Sequence, residues 1–418
     1  MRFYHVRNWI LAQLAVRFRL QQVCFWYLVS LMVEARKHSL TFAASLSGLQ
    51  KSQFSKFLRN HCGVAAYTLE DLSKRQAQRF APLIKQVEGL PWKIGVIVDA
   101  TLQGRAGLHT ENAKRFNHGQ GTVIGHQWTN IVLMLNGILI PLPPIPFYSK
   151  NYCKAHDLVY ASEHDRLVDY LSTLHLTAYL GFHRKRDVIV FMDSGYDVKK
   201  VQRAIRARGW HFLVALKARR SVKSPVQYAN TSASTGWTGI AKFFKDHRRL
   251  AWSTMCLSTM CRTHKRMEVR VRHTRGYLKG VGAVQLVCSE YKRRRKGRRK
   301  YLACSDLDAT PEQILRGYRL RWKIEIFHKE VKQYLGFEHV APKYFSSVES
   351  HVALVYCAYI LLHMEMPGIP DEATTILDKQ AAVKRILEKR TTAHILQTLT
   401  QFGGVETYKE ELKAVLAA

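Results

Sequence analysis

The sequence predicts an α/β protein: a mixed-sheet core interrupted by a β-rich insertion, with helical regions at both ends. Three observations carry that prediction. Ile94-Gly-Val-Ile-Val98 and Val188-Ile-Val-Phe-Met192 are short, wholly apolar runs, the texture of buried strands. Asn136-Gly137 separates two apolar, strand-forming segments, 122–135 and 138–145, and is the strongest short hairpin signal available. Helical periodicity over 157–180 and 197–208 then alternates with strands, which makes a mixed sheet the natural core.

Taken in order, residues 1–90 read as a helical, DNA-binding region. A long helix over 8–37 is apolar enough to be largely buried. Segment 39–60 has a serine cap, a short amphipathic helix, Gly48, and a second helix bearing Lys51, Lys56 and Arg59. This is the outline of a helix-turn-helix, and Ala44, four residues before Gly48, lets the two helices approach. An ordinary helical hairpin has the same outline. Residues 91–217 form the first part of the core, with strands at 94–98, 187–192 and 210–216 and a basic helix over 197–208.

Residues 218–305 depart from that pattern. They are rich in serine, threonine and arginine, with strands expected near 266–274, 281–290 and 300–305. The run from Lys292 through Arg293, Arg294 and Arg295 to Lys300 is basic at eight of nine positions and should tip a hairpin beside a phosphate backbone. In 306–345, Thr310-Pro311-Glu312 supplies a cap, a first-turn proline and a first-turn acid. That helix is expected to run to Leu335, with Gly336 as its stop. Residues 346–418 read as a helical C-terminal region.

Lysine and arginine number 65 against 31 aspartates and glutamates, a formal charge of +34. Charge of this size weakens a compact fold unless a polyanion offsets it, so nucleic acid is the leading partner and an anionic membrane surface the second. At 47% hydrophobic, the chain can build a sizeable core, which excludes a mainly disordered basic tail. The apolar runs 23–33 and 352–363 fall short of the ~20 residues that span a bilayer. Arginines are scattered through the N-terminal stretch without a small-residue cleavage site, so no signal peptide is expected. The eight cysteines form no C-x-x-C pair, which suits reduced thiols in a cytosol. Cys256, Cys261 and His264 could seed a zinc site, but no fourth ligand follows at a natural spacing.

The residues that bear chemistry are acidic. Asp99 and Asp193 each follow an apolar strand directly. A carboxylate there is costly unless it is paired, caps the next turn, or binds a hard cation such as Mg²⁺ or Mn²⁺. On the helix from Thr310, at about 100° per residue, Arg321, Glu325 and Lys332 fall near 300°, 340° and 320° from Tyr318. The four share one polar stripe, while Leu320, Ile324, Phe327, Val331 and Leu335 form a separate apolar face. Such a stripe is either a solvated salt-bridge ladder or a phosphodiester site, with a metal-holding carboxylate, cations for phosphate oxygens and a phenolic donor.

Tyr318-x-x-Arg321-x-x-x-Glu325-x-x-x-x-x-x-Lys332 resembles the Tyr-Arg-Glu-Lys signature of the DDE transposases of bacterial insertion sequences. Val98-Asp99-Ala-Thr101 and Met192-Asp193-Ser-Gly195-Tyr196 are similar to that family's two aspartate motifs. The resemblance is motif-specific from about 94 to 340 and general in the terminal helices. It implies an RNase H-like core in which Asp99, Asp193 and Glu325 bind two Mg²⁺ or Mn²⁺ ions. It also implies cleavage of double-stranded DNA at element ends, transfer to a target, and a homodimer or higher oligomer acting at the bacterial nucleoid in the cytoplasm. Some relatives grip a flipped base with a tryptophan of the insertion. Here Trp210, Trp237 and Trp252 are the candidates, with core packing the favoured role for each. Two other readings stay open: a two-metal endonuclease or resolvase without strand transfer, and a transposase-derived DNA-binding regulator without catalysis.

Overall fold

The computed structural model describes residues 3–33, 38–84, 89–104, 110–118, 121–224, 236–247, 250–258, 266–291, 299–339 and 342–401. Helices come first: α1 (Phe3–Gln13), α2 (Phe18–Val33), α3 (Leu40–Ser47), α4 (Lys51–Asn60) and α5 (Cys62–Phe80). Strands β1 (Ile94–Gly104), β2 (Lys114–His118), β3 (Gly121–Leu135), β4 (Ile138–Pro141) and β5 (Ile145–Pro146) follow. Next are α6 (Lys150–Ala155), α7 (Glu163–Thr173), α8 (Thr177–Leu180), β6 (Val188–Met192), α9 (Lys199–Ala207) and β7 (His211–Ala215). The insertion holds β8 (Ser221–Lys223), β9 (Thr238–Gly239), α10 (Ile240–Asp246), β10 (Ser253–Ser258), β11 (Arg266–Leu278), β12 (Gly282–Tyr291) and β13 (Lys300–Cys304). Helices α11 (Pro311–Leu320), α12 (Lys323–Tyr334), α13 (Phe345–His363) and α14 (Ile376–Gln401) complete the order. Two compact units result, one from Met1–Leu72 with Glu330–Ala418, the other Ser73–Lys329.

The Ser73–Lys329 unit is the mixed α/β body. Its sheet runs β2-β3-β1-β6-β7-β13-β12-β11-β8-β9, with β4 and β5 paired to β3 and β10 to β11. β1 pairs antiparallel with β3 but parallel with β6, and β6 parallel with β7 through the crossover helix α9. Because β13 pairs with β7, the strands of the insertion continue the core sheet. The hairpin is where the sequence puts it: Asn136 and Gly137 take φ of 49° and 84°, the two positive values that a tight, right-twisted turn demands. One face of the sheet buries Val96, Val98, Val190, Phe212 and Val214 against Leu167 and Leu171 of α7 and Val201 and Ile205 of α9. On the other face, α11 lies close to the strands at Gly317. A Cβ there would stand 3.0 Å from the Trp92 ring and 3.3 Å from Leu213 and Phe191.

The second unit is helical. The single helix expected over 8–37 is two, α1 and α2, separated at 14–17. Ser39 caps α3 by accepting from Phe42 N at 3.0 Å, and Gly48 ends it, its N–H bonding Ala44 O. In α4, Phe54, Phe57 and Leu58 are buried while Lys51, Lys56 and Arg59 are exposed, with Arg59 4.6 Å over the Tyr344 ring. α13 is longer than the apolar run within it and, at 19 residues, has the length and composition of a membrane span. Sixteen of its 19 residues are buried inside the fold. Its polar groups are satisfied there: His351 hydrogen-bonds Tyr27 OH at 2.8 Å and Gly336 O at 3.0 Å, and Ser350 donates to Leu58 O. This is the pattern of a core helix.

Candidate active site

Parallel pairing of β1 and β6 puts Val98 opposite Met192, so Asp99 and Asp193 come next on neighbouring strands. Asp99 does not end its strand, as the apolar run suggests. β1 continues to Gly104, and Asp99 pairs across β3 with Asn130. Asp193 does follow β6 directly and turns the chain, its Oδ1 accepting from Gly195 N at 2.8 Å.

The helix expected from Thr310 to Leu335 is broken. Thr310 caps α11 with a reciprocal Gln313 interaction, and Pro311 starts it. Arg321 and Trp322 form a turn, after which α12 begins at Lys323. Phe327 and Val331 keep α12 in the core, while Trp322 stands 57% exposed at the break. Tyr318, Arg321 and Glu325 therefore come together by a turn between two helices rather than along one continuous stripe. Lys332 lies in the last turn of α12 and pairs with Glu338 at 3.3 Å.

Arg321 is the hub of the arrangement. It is buried, with Nη2 2.7 Å from Glu325 Oε1 and Nη1 3.6 Å from Asp99 Oδ2. Its guanidinium also lies 5.7 Å from the Tyr318 ring, which Lys300 approaches at the same distance. Burial pushes the Asp99 carboxyl up to about 7; Arg321 pulls it down, and the charges of Asp193 and Glu325 push it up again. Asp99 thus feels the charge of both other carboxylates. Burial likewise raises the Tyr318 phenol, against the pull of Arg321, so it is protonated at neutral pH. Among the described residues no three His, Cys, Asp or Glu side chains stand close enough together to hold a metal ion. The Arg321 guanidinium bridges Asp99 and Glu325. Its buried Nε has no hydrogen-bond partner among the described residues.

A supporting layer was not legible from motifs. Asn130, opposite Asp99, hydrogen-bonds His328 Nε2 at 2.8 Å and so ties α12 to β3. Glu163, first residue of α7, accepts from Tyr196 OH at 2.7 Å, Gln127 Nε2 at 2.7 Å and Thr129 Oγ1 at 3.1 Å. The His328 contact had a faint signal, since it follows Glu325 by one helical turn; the Glu163 contacts had none. Lys292, Arg293, Arg294 and Arg295 lie outside the described residues, as do Cys261 and His264; Cys256 is exposed on β10. Trp210 is buried, Trp252 packs among Arg270, Arg272 and Arg299, and Trp237 is 43% exposed.

Residues 153–361 match the family described as the transposase DDE domain. The chain belongs to that family. No curated protein matches the sequence. The DDE transposase match spans Asp193, Glu325 and the Arg321 turn but begins after Asp99. Asp99 joins the set through the β1–β6 register and its charge coupling to Asp193 and Glu325.

Proposed function

We propose that this DDE transposase binds the ends of an insertion sequence, cleaves the DNA there with divalent metal ions, and transfers the freed ends to target DNA. The observation that carries the reading is the placement of Asp99 beside Asp193 by the β1–β6 register, with Arg321 joining Asp99 to Glu325. The donor set suits Mg²⁺ or Mn²⁺: it offers hard carboxylate oxygens whose repulsion a dication relieves. Asp99, Asp193 and Glu325 would hold two ions, and Arg321, paired with Asp99 and Glu325, would stand beside them. When bound, such ions activate the attacking oxygen and stabilise the leaving one in an in-line displacement.

The chain's own residues do the rest. Arg321 presents a planar fork suited to non-bridging phosphate oxygens, and its unpartnered Nε is a donor in need of an acceptor. Tyr318, kept protonated by burial, donates a hydrogen bond to the phosphate. Asn130 and His328 fix the pitch of the helix that carries Glu325. No protein nucleophile is needed, because water and then the freed 3′-hydroxyl supply the attacking oxygen. Lys332, the Lys292–Arg295 run, and Lys51, Lys56 and Arg59 of α4 serve as phosphate contacts. Joining two ends calls for at least two protomers, and the substrate places the reaction at the nucleoid of a bacterial cytoplasm.

Inverted repeats in the DNA flanking the coding region would supply the substrate. With Mg²⁺, Asp99→Asn, Asp193→Asn and Glu325→Gln should each abolish cleavage of such an end while binding survives. Substantial cleavage by any of them overturns the three-carboxylate reading. Cleavage by the parent chain without any joined product, when target DNA is supplied, would favour an endonuclease instead.

A further inference from the structure

A second site lies along the same sheet. An open cleft of about 630 Å³ is lined by Lys114 of β2, Phe147, Lys150, Tyr152, His156 and Tyr160, with Glu111 and Asn112 at its edge. That volume is in the range of about 300–1,000 Å³ usual for small-ligand sites. The cleft is built rather than incidental. Buried Asn112, held at φ 59°, donates from Nδ2 to Phe147 O at 2.7 Å and accepts at Oδ1 from Ser149 N at 2.8 Å, tying the two walls together. Ser149 in turn caps α6 through Tyr152 N.

Its chemistry alternates cations and aromatic faces. Lys114 Nζ lies 5.2 Å from the Phe147 ring and Lys150 Nζ 5.4 Å from the Tyr160 ring. The Tyr152 and His156 rings lie 4.1 Å apart, tilted by 33°. Tyr160 is 41% exposed, beside Leu158 and Val159, which are also exposed. Flat, accessible rings next to ammonium groups are what a single strand of nucleic acid needs, since an unpaired base has a free face and a phosphate on either side. A duplex hides its base faces and would use only the lysines.

Position gives the cleft a task. Phe147 N donates to Gln127 O, three residues along β3 from Asn130, the partner of Asp99. Phe147 stands at the edge of β3 opposite β1, so two strand spacings, about 10 Å, add to about 10 Å along the strand, and the cleft opens roughly 14 Å from Asp99. On its far side the chain leads into Glu163, which holds Tyr196. We propose that this cleft binds an unpaired nucleotide of the DNA strand on the flank of the cleavage site, its base stacked on Tyr160 and its phosphates on Lys114 and Lys150. The inference rests on the DNA-cleaving reading of the Asp99 site.

The test compares single-strand and duplex binding by the full chain, using a short oligothymidylate carrying one 2-aminopurine and a duplex of equal length. Stacking should quench the 2-aminopurine. Tyr160→Ala, a change on an exposed loop, should lower the ratio of single-strand to duplex affinity about tenfold or more and abolish the quench. Tyr160→Phe should restore both. An unchanged ratio in Tyr160→Ala, or a loss that Tyr160→Phe fails to restore, overturns the cleft assignment while leaving the DNA-cleaving reading intact. Failure of the parent chain to bind either DNA overturns that reading and the cleft with it.

Discussion

Replacing Asp99 by asparagine should make the metal-free protein more stable at pH 8, although it removes a carboxylate proposed to act in catalysis. In the folded chain the Asp99 carboxyl titrates near 7, against an ordinary value of 3.8, chiefly because it is buried. Its side chain is 17% exposed, so solvent screens it little. A folded pKa above the unfolded one means that the native state binds the proton more tightly. Stability from this group is therefore fully present below about pH 4 and is lost as pH rises through about 7. Three pKa units at 1.36 kcal/mol each set an upper bound of about 4 kcal/mol on the loss. Urea unfolding between pH 4 and 8.5 without divalent cations should show the parent chain falling relative to Asp99→Asn by up to that amount. Adding Mg²⁺ at pH 8 should stabilise the parent more than the variant, as expected of the proposed binding to the ionised carboxylates of the native state. Parallel stability curves for the two proteins across this range would refute the placement of Asp99 in a buried acidic cluster.

Three further outcomes are expected. Arg321→Met, which strips the cation from Asp99 and Glu325, should cost about 3–5 kcal/mol at pH 8 and clearly less at pH 5, measured by the same unfolding series. Gly317→Ala should destabilise the protein by about 1–3 kcal/mol, because the new methyl meets Trp92, Leu213 and Phe191; an unchanged melting temperature would show that α11 has room there. The high positive charge predicts steep salt dependence, with a slope of log affinity on log salt near −9 for about ten phosphate contacts. Neutralising Lys51, Lys56 and Arg59 together should make that slope shallower by about 2.7 if α4 faces DNA, and leave it unchanged if α3 and α4 are an ordinary hairpin.

Much of the site was readable because its signals are local. The apolar runs before Asp99 and Asp193 are short segments whose composition alone marks them as strands. The Asn136-Gly137 turn needs only the left-handed tolerance of its two residues. The Thr310 cap and the Gly336 stop bracket the segment that carries Glu325. The break at Arg321–Trp322 was not readable, since helical periodicity continues across it without a proline or glycine. Nor was the length of β1 beyond Asp99: polar residues of 99–104 extend the strand because β3 offers them a long antiparallel partner.

What the sequence by itself determined is therefore the identity of the chemical groups and the short elements that bear them: two aspartates at apolar strands, and a glutamate with an arginine and a tyrosine at helical spacing. These depend on residue types a few positions apart. Only the tertiary structure decided that Asp99 stands beside Asp193, that Arg321 bridges Asp99 and Glu325, and that Asn130, His328 and Glu163 brace the arrangement. Those facts come from strand register and helix packing between segments distant in the chain, where burial and mutual charge, rather than any local pattern, set the energies.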